Sequence, residues 1–221
     1  MRAAADGAAA IVRATTHLEA APLVPELRLH LAADAIEAWE QAERLTGRRL
    51  PPPYWAVAWP GSQALARHVL DHAFLVVGRR VLDFASGCGL AAIAAAVAGA
   101  REVLASDLDP LAAAAQRLNA STSGVELATT TDDLVGRELP DVDVVLAGDV
   151  CYERGPSARI AAWLRALAIR GATVLLADPG RTFAPTDDLE PLATYVVATS
   201  RTLERAERTP TTVWRVLASG G

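Results

Sequence analysis

A ten-residue stretch, Val81-Leu82-Asp83-Phe84-Ala85-Ser86-Gly87-Cys88-Gly89-Leu90, already dictates a strand–loop–helix unit. An apolar run passes through small residues directly into a helical one. Gly87 and Gly89 permit positive φ and a close approach of backbone to ligand. The helix that follows turns its first unpaired N–H groups toward the same space. From Arg79 onward, short β-rich runs alternate with alanine-rich helical runs. The strands read as Val81–Ala85, Glu102–Ser106, Val125–Thr129, Val142–Ala147, Thr173–Ala177, Ala193–Thr199 and Thr212–Leu217. The helices read as Leu90–Ala98, Pro110–Ala120 and Ser157–Ile169. This alternation predicts a mainly parallel sheet with helices on both faces. Polar residues 200–211 join the last two strands without a helix, so those strands are expected to pair antiparallel.

The segment before Arg79 reads differently. Residues 1–20 look weakly structured and are expected to be a flexible terminus. Residues 21–60 are expected to form a small α/β extension packing near the site, and residues 61–221 the main domain. Within the extension, Leu27, Leu29 and Leu31 alternate with Glu26, Arg28 and His30, the period of a half-buried strand. Residues 33–45 predict an amphipathic helix with Ile36, Trp39, Ala42 and Leu45 inward, stopped by Gly47. Pro51-Pro52-Pro53 predicts a rigid connector, and Pro60 the first turn of a helix reaching His72.

Composition removes several classes of function. The chain has 221 residues, 52% hydrophobic and 21% charged, which excludes a disordered chain and favours one domain. The net charge of −5 argues against general nucleic-acid binding. All 21 basic residues are arginine, and alanine is abundant, which suggests a bacterial source. Cys88 and Cys151 form no CxxC pair, so neither a disulfide framework nor a metal site is expected. His68 and His72 share a helical face and read as helix-surface residues. No window approaches a membrane span and no signal segment is visible, so the expectation is a soluble, cytoplasmic monomer.

The glycine loop has two acidic neighbours. Asp83 ends its strand beside the loop, and Asp107 ends the next strand, 18 residues beyond Gly89. A carboxylate at Asp107 is placed to accept both hydroxyls of a ribose. The run from Ala85 lacks the third glycine of a dinucleotide fingerprint. An acid beside the loop would repel a diphosphate and suits a cation, so S-adenosylmethionine fits better than a nicotinamide cofactor. Ser86 and Cys88 in the loop, Leu108 after Asp107, and Asp133 complete the candidate cofactor set. Asp132 and Asp133 read equally well as adenine recognition or as solvated loop carboxylates.

A second cluster follows the fourth strand, in Gly148-Asp149-Val150-Cys151-Tyr152. An acid and a phenol three residues apart at the strand's carboxyl end would face the methyl group of the cofactor. Asp149 is suited to orient a cationic amine, and Tyr152 to hydrogen-bond its nitrogen. Asp178-Pro179-Gly180-Arg181 predicts a tight turn whose arginine projects toward the same rim. Tyr54-Trp55-Ala56-Val57-Ala58-Trp59-Pro60-Gly61 is aromatic in a chain that is 5% aromatic overall. Trp55 and Trp59 offer cation–π walls to a sulfonium or, equally, core packing.

These segments resemble the seven-strand protein-lysine methyltransferases, specifically the electron transfer flavoprotein β-subunit lysine methyltransferases. The resemblance rests on PYWAVAWPGSQALARHVLD, VLDFASGCGLAAIAAAVAGA, ASDLDP, GDVCY and DPGR, and spans residues 22–217. It implies a Rossmann-like seven-strand α/β sheet with the last strand antiparallel. It also implies methyl transfer to lysines of that β-subunit, with the ribosomal stalk protein as a further substrate. Asp83, Gly87, Gly89 and Asp107 would be cofactor contacts, Trp55 and Trp59 would line the site, and Asp149 and Tyr152 would hold the lysine. Ala85 departs from the family pattern, which more often has glycine there. The competing readings are a methyltransferase of small amines or other residues, a nicotinamide oxidoreductase, and a non-catalytic cofactor-binding module.

Overall fold

A computed structural model describes residues 2–199 and 206–218, with side chains from residue 6 onward. Seven strands form one sheet: β3 (Arg80–Phe84), β4 (Glu102–Ser106), β5 (Ala128–Thr130), β6 (Val144–Gly148), β7 (Thr173–Asp178), β8 (Leu189–Ala198) and β9 (Arg208–Val216). Their order is β5-β4-β3-β6-β7-β9-β8. The first five pair in parallel, while β9 runs antiparallel to β7 and β8 on either side. The last strand alone is thus reversed, as the helix-free connection before it predicts. Part of that connection lies outside the described residues.

Side-chain alternation sends Val81, Val103, Val144, Leu146 and Leu175 to one face, under α3 (Pro60–Asp71) and α4 (Leu90–Val97). It sends Leu82, Phe84, Val145, Ala147 and Leu176 to the other, under α6 (Arg154–Ile169). Both faces are covered, which is why these strands are almost wholly apolar. The fifth helix, α5 (Pro110–Thr122), begins at an Asp109 cap with Pro110 in its first turn. Pro60 likewise opens α3.

The N-terminal segment departs from expectation. Residues 2–15 form α1 (Arg2–Thr15), and His17–Ala21 form β1. Alanine carries the lowest cost of any residue in a helix, and Val12 anchors this one in a cluster with Trp55, Leu111 and Ala115. β1 pairs antiparallel with β2 (Val24–Leu31), whose Leu27, Leu29 and Leu31 face inward as their spacing predicts. The next helix, α2 (Ala35–Thr46), is capped by Asp34 and ended by Gly47 at φ +67. Its buried residues are Ala38 and Ala42, while Ile36 and Leu45 are exposed. Small residues let this helix lie close, and the larger pair expected inside points out.

His68 and His72 also differ from their reading as surface residues. α3 lies against β8 and β9, so its His68 is buried and its Nδ1 is 3.1 Å from the Tyr195 hydroxyl of β8. His72 stacks on it with ring centroids 4.4 Å apart. Among the described residues, no helix is long and apolar enough to cross a membrane.

Candidate active site

Parallel register sets Phe84 of β3 beside Ser106 of β4 and Ala147 of β6. The acids closing these strands, Asp83, Asp107 and Asp149, therefore reach one edge of the sheet. Open α/β sheets bind ligands at that edge.

The loop after β3 carries three left-handed residues: Ala85 (φ +52), Gly87 (φ +52) and Gly89 (φ +85). A Cβ on Gly89 would meet Gln116 of α5 at 3.2 Å, so this turn packs against that helix. Asn119 is fully buried and ties two units together. Its Nδ2 donates to the Cys88 carbonyl (2.8 Å), and its Oδ1 accepts from the His30 N–H of β2 (2.7 Å). The N-terminal hairpin thereby braces the glycine loop. Ala85 is exposed and adopts a conformation that costs an L-residue about 1–2 kcal/mol. Ala85→Gly is expected to raise thermal stability by about 0.5 kcal/mol once glycine's extra unfolded-state entropy is deducted. A melting curve with an unchanged or lower midpoint would count against strain at this position.

Asp83 lies beneath the loop, 3% exposed, rather than facing a ligand directly. Its Oδ2 accepts from Ser86 Oγ (2.5 Å) and from the Ala92 N–H of α4 (2.9 Å). Burial pushes its carboxyl up to about 7, against those two hydrogen bonds, which lower it. A carboxyl raised in the fold holds its proton there while the unfolded chain has released it. Stability contributed this way falls as pH rises from about 4 to about 7. Asp107 and Asp149 are shifted the same way by burial. His30 and His68, held below their usual range by burial, oppose this trend only below about pH 6.5. Asp83 is expected to make the ligand-free chain about 1 kcal/mol more stable at pH 6 than at pH 8, an effect that His30 and His68 oppose at the acid end of this window. Asp83→Asn should flatten most of that slope in pH-dependent melting. Equal slopes in variant and parent would remove Asp83 as its source.

Ser86 and Cys88, expected as cofactor contacts, turn their side chains inward. Ser86 supports Asp83, and burial pushes the Cys88 thiol up to about 12, leaving it inert. Only the loop backbone and its hydrogens remain for a ligand. Asp107 stands at the rim. Its Oδ2 accepts from the Gly87 N–H (3.0 Å) and its Oδ1 from the Asp109 N–H (3.1 Å). Leu108 beside it is 67% exposed, an apolar face offered to the cleft. Asp132 pairs with Arg137 at 3.1 Å, and Asp133 Oδ1 accepts from the Val135 N–H at 3.0 Å. Both carboxylates are exposed and engaged within the loop after β5.

Asp149 is a buried acid held on both oxygens. Oδ2 accepts from the Gly61 N–H of α3 (2.5 Å), and Oδ1 from the Arg181 guanidinium (2.8 Å). It occupies left-handed backbone, φ +56, and its own N–H donates to the Ala177 carbonyl (3.0 Å). A Cβ on Gly61 would lie 2.5 Å from that carboxylate and 2.6 Å from the Ala177 oxygen. Only glycine fits there, so α3 presses its first turn onto the end of β6. Burial pushes Asp149 up to about 6, against Arg181 and the Gly61 N–H.

Three aromatic side chains touch one another in series near the end of this strand. The Tyr152 ring lies 5.6 Å from Tyr54, and Tyr54 lies 5.8 Å from Trp59. Trp59 Nε1 donates to the Tyr54 carbonyl at 2.9 Å, which fixes the turn. Trp55 is placed elsewhere: it is 1% exposed and wedged into the α1–α5 cluster, so it is core rather than wall. Arg181 reaches this rim as the DPGR turn predicts, whereas Tyr54, Gly61 and Asn119 carry site geometry that the motifs do not assign. The aromatic run signalled Tyr54 and DPGR signalled Arg181, whereas nothing local signalled Asn119.

The ribosomal protein L11 methyltransferase family model matches residues 64–149, the cofactor half of the site. The chain is similar to the electron transfer flavoprotein β-subunit lysine methyltransferase of Xenopus laevis, 40% identical over 90% of this chain and 83% of the relative. The protein of that name from Danio rerio is 35% identical over 93% and 81%. A solved magnesium protoporphyrin IX methyltransferase from Synechocystis shares the fold, with TM-score 0.50 and 16% identity over 70% of this chain and 80% of that one. A Pyrococcus horikoshii protein described as an RNA methyltransferase does so too, with TM-score 0.56 and 15% identity over 75% and 88%. Fold and relatives together define a class I S-adenosylmethionine-dependent methyltransferase. The residues present fit that cofactor: a left-handed glycine turn and the Asp107 carboxylate stand together at the open edge of the sheet, where a ribose would find an acceptor. Within the class, this chain belongs to the electron transfer flavoprotein β-subunit lysine methyltransferase family.

Proposed function

We propose that this chain transfers methyl groups to lysine side chains of the electron transfer flavoprotein β-subunit. The observation that carries the reading is that Asp149 and Tyr152 both follow the carboxyl end of β6, with Tyr152 in ring contact with Tyr54 and Tyr54 with Trp59. Tyr152 and Tyr54 are each about half exposed, an apolar entrance suited to the methylene chain of a lysine. Asp149 at its base accepts from the amine, and Tyr152 fixes the direction of the lone pair. When bound, S-adenosylmethionine supplies a methyl on a sulfonium. Asp107 would accept from its ribose, Leu108 would cover one face of its base, and the Gly87–Gly89 backbone would seat its amino-acid portion. Asp133 would take part only from the rim, and Asp83 through the loop it holds.

Several further features belong to the same reading. The net charge of −5 favours a protein partner over nucleic acid. The all-arginine composition supports a bacterial source, and two free, buried cysteines suit a reducing cytoplasm. One chain carries both the cofactor loop and the acceptor pair, so we take a monomer to be sufficient. As a second acceptor we take the ribosomal stalk protein, on the family resemblance alone; the matched family model is named for a different ribosomal protein, L11.

Intact-mass spectrometry of the β-subunit after incubation with enzyme and S-adenosylmethionine tests the reading. Gains of about 14 Da per methyl, mapped to lysine, are expected. The enzyme contains no lysine, so side-chain methylation cannot arise from itself. No gain, with cofactor binding measured separately, would sink the β-subunit as substrate and turn attention to the stalk protein.

A further inference from the structure

Asp149 is spoken for before any substrate arrives. Gly61 and Arg181 each take one of its oxygens, at 2.5 and 2.8 Å. A carboxylate offers about four lone-pair sites, so capacity remains for an incoming amine. The charge balance differs from that of an isolated acid. Asp149 and Arg181 together are neutral, in a setting where the Asp149 side chain is 8% and the Arg181 side chain 23% exposed. Arg181 is held there by its turn: Asp178 Oδ1 accepts from both the Gly180 N–H (2.7 Å) and the Arg181 N–H (2.6 Å).

A lone buried carboxylate favours an ammonium, whose nitrogen has no lone pair to react. A carboxylate already neutralised by a guanidinium favours the uncharged amine. We propose that Arg181 is a positioning residue that makes the target lysine shed its proton on entering the site, acting through Asp149. This inference rests on the lysine-methyltransferase reading above. The proton leaves to solvent as the amine seats against Asp149. The nitrogen lone pair then forms the N–CH3 bond, the S–CH3 bond breaks, and its electron pair stays on sulfur. The new methylammonium loses a second proton to solvent before another transfer at the same nitrogen.

Other groups facing Asp149 do not take over this task. Asp178, at the end of β7, adds negative charge that would hold the proton on the amine. Burial keeps the thiol of Cys151 protonated, with its pKa pushed up to about 12. Burial likewise raises the phenol of Tyr152. The contact from α3 is an uncharged backbone N–H. Among these neighbours Arg181 is the cation, and it offsets one of the two acidic charges.

The test compares the unaltered chain with Arg181→Gln and Arg181→Lys, using the flavoprotein β-subunit as substrate. For Arg181→Gln, the acid limb of the kcat–pH profile is expected to move up by about one to two pH units. Turnover at pH 7.5 should fall about tenfold or more and recover as pH rises, with KM changed far less. Arg181→Lys keeps the charge and should keep the profile. Calorimetry gives a second readout that does not depend on turnover. The β-subunit is titrated into enzyme saturated with S-adenosylhomocysteine, in buffers of different ionisation enthalpy. The unaltered chain should release about one more proton per complex than Arg181→Gln. A loss of turnover equal at every pH, with equal proton release, would overturn the proposal and leave Arg181 a structural brace. Unchanged S-adenosylhomocysteine affinity certifies that the variant folds. Absence of methylation by the unaltered chain overturns the substrate reading, and this inference with it.

Discussion

Asp149→Asn is expected to lower turnover by about 10²–10³-fold while leaving cofactor affinity within about threefold. The amide has nearly the shape of the carboxylate, so the Gly61 N–H keeps an acceptor and α3 stays seated. The loss is electrostatic. Arg181 would then stand opposite a neutral amide, the site would be more positive by one charge, and it would hold a lysine less well. With its oxygen on the Gly61 N–H the amide turns its NH2 toward Arg181, so two donors face each other. Single-turnover methylation with calorimetry on the same preparation separates the two effects. Full activity would take Asp149 out of the mechanism. Lost cofactor binding would show that the acid organises the whole edge rather than the acceptor alone.

Asp107→Ala is expected to weaken cofactor binding by about 100-fold, near 3 kcal/mol. Two contributions combine. The carboxylate accepts from the Gly87 and Asp109 N–H groups, so its removal frees both the glycine loop and the start of α5. It also removes the acceptor for the ribose hydroxyls, a charge-assisted bond in a partly desolvated place. Titration calorimetry with S-adenosylhomocysteine measures the affinity, and Asp107→Asn, which retains one oxygen, should fall between parent and alanine variant. Unchanged affinity in the alanine variant would place the ribose elsewhere. The two substitutions would therefore divide the site as proposed, one acid for the cofactor and the other for the acceptor.

Much of this arrangement is legible along the chain because it is local. The strand–loop–helix at residues 81–90 follows from an apolar run, small residues and glycine. The reversed last strand follows from a connection without a helix. Asp83, Asp107 and Asp149 could be placed on one edge before any coordinates, since each ends a strand in a parallel pattern. Residues 1–20 mislead because the apolar face of this segment is built mostly of alanine, with Ile11 and Val12 as its large members. Its helix becomes visible only through Val12 and the cluster it joins.

The sequence by itself determined the sheet, its edge and the kinds of acid found there, because period, spacing and turn chemistry are properties of neighbouring residues. The tertiary structure decided which of those residues face the cleft. Asp83, Ser86 and Cys88 read as contacts, and the packing buries their side chains beneath the loop, since burial depends on what lies above them. Trp55 and Trp59 are four residues apart, yet one is core and the other borders the site, because α1 and α5 close over the first. Arg181 on Asp149, and Asn119 between His30 and Cys88, join positions 32, 89 and 31 residues apart. No local pattern encodes such pairs; they arise when separate elements pack and each buried polar group must find a partner.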